Sequence, residues 1–332
     1  MKPLIRAVRA VRAVAATAIV FQALACGVAS AQPADWPSRP IKIVVPAPAG
    51  GPYDRTIRPV AQRMAQTLKQ PVVIDNRPSA GNVVGTQVGA SAPPDGYTLT
   101  MTGMLNTIAQ SMYDNLSFDI VRDFEHIGVI GEGAQWLVVR SDAGIASLQD
   151  LVQQAKREPG KINYASSGAG STGHLVMEQL QRAAQIQLTH VPYKGAAPAL
   201  QDVLAGVVSV IVVPPTSVTP MVQSGKLKVL ATSSAARAPG VPEVPTFAEL
   251  GYKQLTVTSW VGLSAPKGTP KPIIDKVHAA LEVALKDSAV QKQLEAEGLT
   301  PLGGTPAQYA QMVRTDTERW GSLARSLNLK AN

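Results

Sequence analysis

Short β-branched runs, each closed by proline or a glycine-rich loop and followed by a helical stretch, recur along this chain, and that alternation restricts it to an α/β architecture. The run 41–45 ends at Pro46 and passes through a Pro/Gly loop into a helical stretch at 55–68. A strand signal returns at 72–75, followed by a short helix at 83–91 and strands at 97–102 and 124–130. A second series runs strand 136–140, helix 147–157, strand 161–165, glycine-rich loop, helix 172–184, strand 188–191, a helix near 198–204 and strand 207–213. Strands at 227–231 and 260–264 and strong helices at 272–286 and 306–327 complete the pattern. Such alternation implies a parallel sheet covered by helices.

A chain of this length buries a large core and lies where single cores divide in two. The expected division places 32–132 and 230–332 in a first lobe and 133–229 in a second. The chain then crosses between lobes twice, which gives a two-segment hinge suited to opening and closing.

The beginning of the chain reads differently. Lys2, Arg6, Arg9 and Arg12 precede an apolar stretch at 14–28, and Ala29-Ser30-Ala31 supplies small residues at cleavage spacing. This predicts a secretory signal peptide over 1–31. The apolar stretch is about 15 residues, short of the roughly 20 needed to span a bilayer. A competing lipoprotein-type reading rests on Ala23-Leu24-Ala25-Cys26, with alanine where leucine is usual. Cleavage after Ala31 removes the one cysteine, which excludes disulfides, thiolate catalysis and cysteine-bound metal. It also lowers the net charge from +8 to +4. The remaining Lys and Arg are scattered among few aromatics, so nucleic-acid binding is not expected.

Two polar loops stand between a strand and a helix. The first is Pro48-Ala49-Gly50-Gly51-Pro52-Tyr53-Asp54 and the second Ser166-Ser167-Gly168-Ala169-Gly170-Ser171. Glycines let the backbone approach a ligand, and amides at a helix start attract anions. Neither loop has the Walker or dinucleotide spacing, so no nucleotide cofactor is expected. Asp54 can bond a ligand or stabilise its helix start. His174 can donate to a carboxylate or serve a structural role. Catalysis finds no support: Ser166 and Ser167 lack a Gly-x-Ser-x-Gly elbow, His126, His174, His190 and His278 lack metal-ligand spacing, and acidic residues are sparse in the loops.

Ordered motifs continue along the chain: Trp36-Pro37-Ser38-Arg39-Pro40, Gly50-Gly51 with Asp54 and Arg58, Asn76-Arg77-Pro78, and Pro94-Asp95-Gly96-Tyr97. Tyr164-Ala165-Ser166-Ser167-Gly168, Gly170-Ser171 with His174, Pro192-Tyr193-Lys194-Gly195 and Gly268-Thr269-Pro270 follow. In these the chain resembles the tripartite tricarboxylate transporter receptors, or Bug proteins, periplasmic solute receptors abundant in Bordetella. The resemblance covers essentially everything after the signal segment. It implies a two-lobed periplasmic binding protein fold, type II-like, whose cleft holds a small carboxylate: a di- or tricarboxylate, an acidic amino acid or an aromatic acid. The implied contacts are Ala49, Gly50, Gly51, Tyr53, Asp54 and Asn82 from one lobe, and Ser166, Ser167, Gly170, Ser171, His174, Tyr193, Lys194 and Gly195 from the other. The implied partner is a tripartite tricarboxylate-type membrane transporter, with a two-component sensor kinase as the alternative, and the receptor is expected to be a periplasmic monomer. Ala47 replaces a common aromatic residue, Gly81-Asn82-Val83 stands where Gly-Gly-Asn is usual, Ser209 replaces a common aspartate, and Asn106-Thr107 stands where Thr/Ser-His is sometimes seen. These departures imply a pocket unlike the family norm.

Overall fold

The computed structural model describes residues 36–326 apart from positions 114 and 239; the expected signal segment 1–31, with Cys26, lies outside the described residues. Ile41–Val45 (β1) is apolar at nearly every position because the strand is covered on both faces: Ile41, Ile43, Val44 and Val45 are fully buried. It pairs in parallel with Val72–Asn76 (β2) and with Thr98–Gly103 (β3). Thr258–Pro266 (β10) runs antiparallel to β3 and to Phe124–Ala134 (β4), and Thr300–Gly303 (β11) pairs with the outer side of β4. The first sheet therefore has the order β11-β4-β10-β3-β1-β2.

The second sheet uses Trp136–Arg140 (β5), Asn163–Ser166 (β6), Thr189–Pro192 (β7), Val210–Val213 (β8) and Leu227–Thr232 (β9), in the order β7-β6-β8-β5-β9. Here β6 is parallel to β7 and β8, whereas β5 is antiparallel to β8 and β9. Both sheets are thus mixed, which corrects the expectation of purely parallel ones. The reason is the double crossing. In the first sheet β4 leaves and β10 returns, in the second β5 enters and β9 leaves, and a departing and a returning strand that lie side by side must run in opposite directions.

The sheets change over at Gln135 and again between Thr232 and Thr258. Buried Ser233 ties the two crossing segments together. Its Oγ accepts from the Gln135 amide (2.8 Å) and donates to the Val257 carbonyl (2.5 Å). Its backbone N–H donates to Gln135 O (2.9 Å), and its carbonyl accepts from Val257 N (2.9 Å).

The helices are Pro52–Leu68 (α1), Val83–Ala90 (α2), Met104–Met112 (α3), Leu148–Arg157 (α4), Thr172–Ala184 (α5), Ala196–Ala205 (α6), Pro215–Gln223 (α7), Lys271–Leu285 (α8), Ser288–Ala296 (α9) and Pro306–Ser326 (α10). Sequence patterning missed α3, α7 and α9. Helix α3 has no connecting loop: Gly103 ends β3 and also caps α3, its N–H donating to Asn106 Oδ1 at 2.8 Å. Helix α7 carries Pro215 in its first turn and Pro220 inside, which reads locally as a break.

One apolar cluster joins Met104, Ile108 and Met112 of α3 to Tyr309, Trp320 and Leu323 of α10 and to Leu175, Val176 and Leu180 of α5. A second packs Leu200 and Val203 of α6 and Val218 of α7 against Trp136, Ile211 and Val229. No helix among the described residues is long and apolar enough to cross a membrane.

Candidate functional site

The first loop leaves β1 and turns over residues 48–51, with Gly51 N donating to Pro48 O at 3.1 Å and Gly50 at φ +74°. Asp54, in the first turn of α1, is buried beneath it. One carboxylate oxygen accepts from Gly50 N (2.9 Å) and Arg58 Nε (2.7 Å), the other from Arg58 Nη2 (2.9 Å) and Asn76 Nδ2 (3.0 Å). Burial alone would raise its pKa, but the bonds from Arg58, Gly50 and Asn76 together hold it below the usual carboxylate range. Asn76 also donates to Ala47 O (3.1 Å), which ties β2 to the same loop. Arg55 braces it from outside, donating to Gly50 O (2.6 Å) and making a two-pronged pair with Glu297 (2.6 and 2.8 Å). The start of α1 has proline in its first turn and no side-chain cap, and the ionised Asp54 carboxylate in that turn offsets part of its dipole.

Tyr53 lies across β3: a Cβ added to Gly103 would sit 2.6 Å from its hydroxyl oxygen. Burial pushes this phenol up to about 12, and the neighbouring Asn82 side chain offsets part of the rise. Gly81 and Asn82 are both left-handed, at φ +61°. The Asn82 carbonyl accepts from Thr86 Oγ1 (2.7 Å), which in turn accepts from Asn106 Nδ2 (2.7 Å). Asn82 is itself buried, with its side chain beside the Tyr53 hydroxyl.

The second loop leaves β6 and is organised from within. Ser166 is fully buried; its Oγ lies 3.0 Å from Gly168 O and 2.7 Å from His190 Nε2 and accepts from Gly168 N at 3.2 Å. Ser171 caps α5 by accepting from His174 N. His174 turns back beneath the loop, where its Nδ1 accepts from Gly170 N at 3.0 Å. The 193–195 segment is stitched to this loop by Tyr193 N donating to Ser166 O (3.0 Å) and Gly195 N to Ser167 O (3.2 Å). Tyr193 donates its hydroxyl to Asp202 Oδ2 (2.5 Å), and that bond and burial push its pKa up to about 12. Gly195, at φ +114°, begins α6 without a side-chain cap.

Helix α3 brings the loops together. Tyr53 lies over Gly103 at its start, and at its end Met112 occupies the space that a Cβ on Gly170 would need. Gly81 sits against the ring of Tyr113, the next residue. A second contact between the sheets' flanking elements places Gly298, just after α9, against Thr216 of α7.

Among the predicted contacts, Ala49, Gly50, Gly51, Tyr53, Ser167, Ser171, Tyr193, Lys194 and Gly195 keep accessible surface. Asp54, Ser166, Gly170 and His174 are buried within the loops that they shape. Asp54 is engaged by Gly50 N, Arg58 and Asn76, Ser166 by Gly168 and His190, and His174 Nδ1 by Gly170 N, while Met112 lies against Gly170. Ser166 and His190 stand at hydrogen-bond distance, yet the serine is sealed and held between the backbone groups of Gly168, so the pair offers no nucleophile. Sequence reasoning missed His190, Arg55 and its partner Glu297, and the hinge residues Gln135, Ser233 and Val257. Their importance lies in contacts distant in sequence. Among the described residues no group of three or more His, Cys, Asp or Glu could hold a metal ion.

The family profile described as "Tripartite tricarboxylate transporter family receptor" matches residues 56–329. The solved structure of the periplasmic binding protein BugD is 34% identical, covering 90% of this chain and 100% of its own, with a TM-score of 0.74. MatC from Rhodopseudomonas palustris, solved with bound malate, is 31% identical, covering 87% and 99% of the two chains, at a TM-score of 0.73. A further R. palustris protein solved with adipate is 30% identical, covering 87% and 97%, at a TM-score of 0.75.

Proposed function

The chain belongs to the tripartite tricarboxylate transporter receptor family, whose members share its two-lobed binding-protein fold, and on that footing we propose that it captures a small carboxylate between its lobes in the periplasm and presents it to a tripartite tricarboxylate-type membrane transporter. The observation that carries this reading is the convergence on α3 of one glycine loop from each lobe, with the Asn82 amide and the Tyr53 hydroxyl beside the first. The loop backbone around Gly50, Gly51 and Gly195 is accessible, and the start of α6, with no side-chain cap and no acidic residue in its first turn, supplies partial positive charge. Asn82 Nδ2 and the Tyr53 hydroxyl supply directed bonds. Several such contacts are needed, because each helix-start interaction contributes roughly 0.3–1 kcal/mol near the surface, whereas micromolar binding requires about 8 kcal/mol.

The two relatives solved with malate and adipate support aliphatic dicarboxylates as the first ligands to try. Lobe closure pairs these polar groups with the ligand and removes both from water. The closed form is then the species the transporter recognises.

The test is thermal unfolding of the protein from residue 32 onward with malate, adipate, citrate, glutamate and benzoate, beside the corresponding amides. A carboxylate at 100 times its dissociation constant stabilises by about 2.7 kcal/mol, and the amides leave the transition unmoved. If no acid shifts the transition after unfolding and refolding to strip retained ligand, the receptor reading fails.

A further inference from the structure

Beneath the second loop lies a cluster that the proposed ligand contacts do not use. The imidazoles of His174 and His190 stack with centroids 4.0 Å apart and 8° between their planes, and Tyr164 lies beside both, 4.8 Å from His190 at 19° and 6.4 Å from His174 at 23°. Each histidine holds a different part of the loop: His190 Nε2 meets Ser166 Oγ at 2.7 Å, and His174 Nδ1 accepts from Gly170 N at 3.0 Å. Together they fix both ends of the segment 166–170.

We propose that His174 and His190 are positioning residues for the second ligand loop, holding it in its binding shape only while both imidazoles are neutral. The inference rests on the reading that this loop forms one wall of the carboxylate site. Because His174 Nδ1 accepts a hydrogen bond, its proton sits on Nε2, which faces Glu178 Oε1 at 3.9 Å. A second proton would have to enter at Nδ1. It would turn the acceptor of the Gly170 bond into a donor and set two N–H groups against each other. Protonating His190 as well would place two cations face to face at the stacking distance.

The groups around the pair decide how it responds to acid. Glu178, from α5, is engaged by the Tyr164 hydroxyl (2.6 Å) and by Gln181 Nε2 (2.7 Å) at Oε1. It favours the charged form of His190, while His174 disfavours it. From the α6 side Asp202 is held by Tyr193, and from α3 the uncharged side chains of Met112 and Ile108 lie against Gly170. Burial dominates, lowering both histidines to about 4. A released loop returns each imidazole to water, where its pKa is about 6.5. The sign follows from linkage: the folded value is depressed, so the stabilisation of the held loop is complete above about pH 6.5 and is lost as the pH falls toward the folded value. For one histidine with these two values, the released fraction rises about 30-fold between pH 7.5 and pH 5.

Native-state hydrogen exchange of the ligand-free protein tests this at the Gly170 amide. After correction for the intrinsic exchange rate, its protection should fall about 30-fold or more between pH 7.5 and pH 5. His174→Asn offers a side-chain oxygen in place of Nδ1 but cannot titrate, so protection at pH 7.5 should be retained and most of the pH dependence lost. Flat protection in the wild type, or an equal fall in His174→Asn, overturns the proposal. A carbon-13 titration of the imidazoles keeps the test decisive if the variant fails to fold: resonances of His174 and His190 that titrate near 6.5 overturn it as well. Neither measurement needs a ligand. A protein that shows the exchange behaviour but binds no malate or adipate at any pH therefore refutes the carboxylate reading separately.

Discussion

Replacing Asp54 by alanine removes the one group that the first loop, β2 and α1 share. The Gly50 and Asn76 bonds end on a buried carboxylate, and such bonds to a charged group contribute about 1.5–3 kcal/mol each. Asn76 keeps its bond to Ala47 O, which lowers its share. The Arg58 guanidinium is 55% exposed and resolvates when its partner is lost, so that pair adds only about 0–1 kcal/mol. The expected loss is about 3 kcal/mol, a large fraction of the 5–15 kcal/mol of a typical domain. Urea unfolding at pH 7 reads it as a lower midpoint at unchanged slope. The gap has a predictable pH dependence. The Asp54 pKa in the folded protein lies below its unfolded value of about 3.9, so its contribution is complete above that value and fades as the pH falls through the folded one. Wild type and variant should therefore converge in acid. A loss under about 0.5 kcal/mol, or a gap that widens in acid, refutes the assignment of Asp54 as a brace. Weaker carboxylate binding with unchanged stability would instead return it to the role of ligand contact.

Ser233→Ala deprives the buried Gln135 amide of its acceptor, and should cost about 1–3 kcal/mol in urea unfolding and speed hydrogen exchange at Gln135 and Val257. Gly170→Ala meets both a left-handed backbone at φ +75° and the Met112 side chain; a loss of about 1–3 kcal/mol by calorimetry and weaker binding of whichever carboxylate proves to be the ligand are expected. Arg55→Ala cuts an exposed pair with Glu297, so stability changes by less than about 1 kcal/mol and the difference shrinks in high salt.

The site was legible in part. Glycine loops between a strand and a helix announce themselves by composition, and Gly50 and Gly170 do take the left-handed backbone that favours glycine. What those loops do with their side chains was not legible. Asp54 and His174 are residue types that bind ligands in many sites, and nothing near them in sequence shows that Gly50 N and Gly170 N already engage them. His190, more than a dozen residues beyond His174, becomes its stacking partner only because β7 lies beside β6. Likewise α3 was hidden, since a helix that grows directly from its strand leaves no loop signal.

The sequence by itself determined the local conformations: buried strands such as β1 from continuous β-branched runs, helix starts from Pro52 and Ser171, and turns from glycine. It also carried the family likeness, because motifs strung along the chain keep their order whatever the fold does with them. Only the tertiary structure decided which way neighbouring strands run, which polar groups stay accessible on the loops and which are engaged within them. Strand direction depends on the two crossings at Gln135 and Ser233, and the fate of each polar group depends on partners as distant as Glu297 is from Arg55. Burial and pairing are properties of that assembled arrangement, and they separate a residue left accessible on a loop from one that holds the loop in shape.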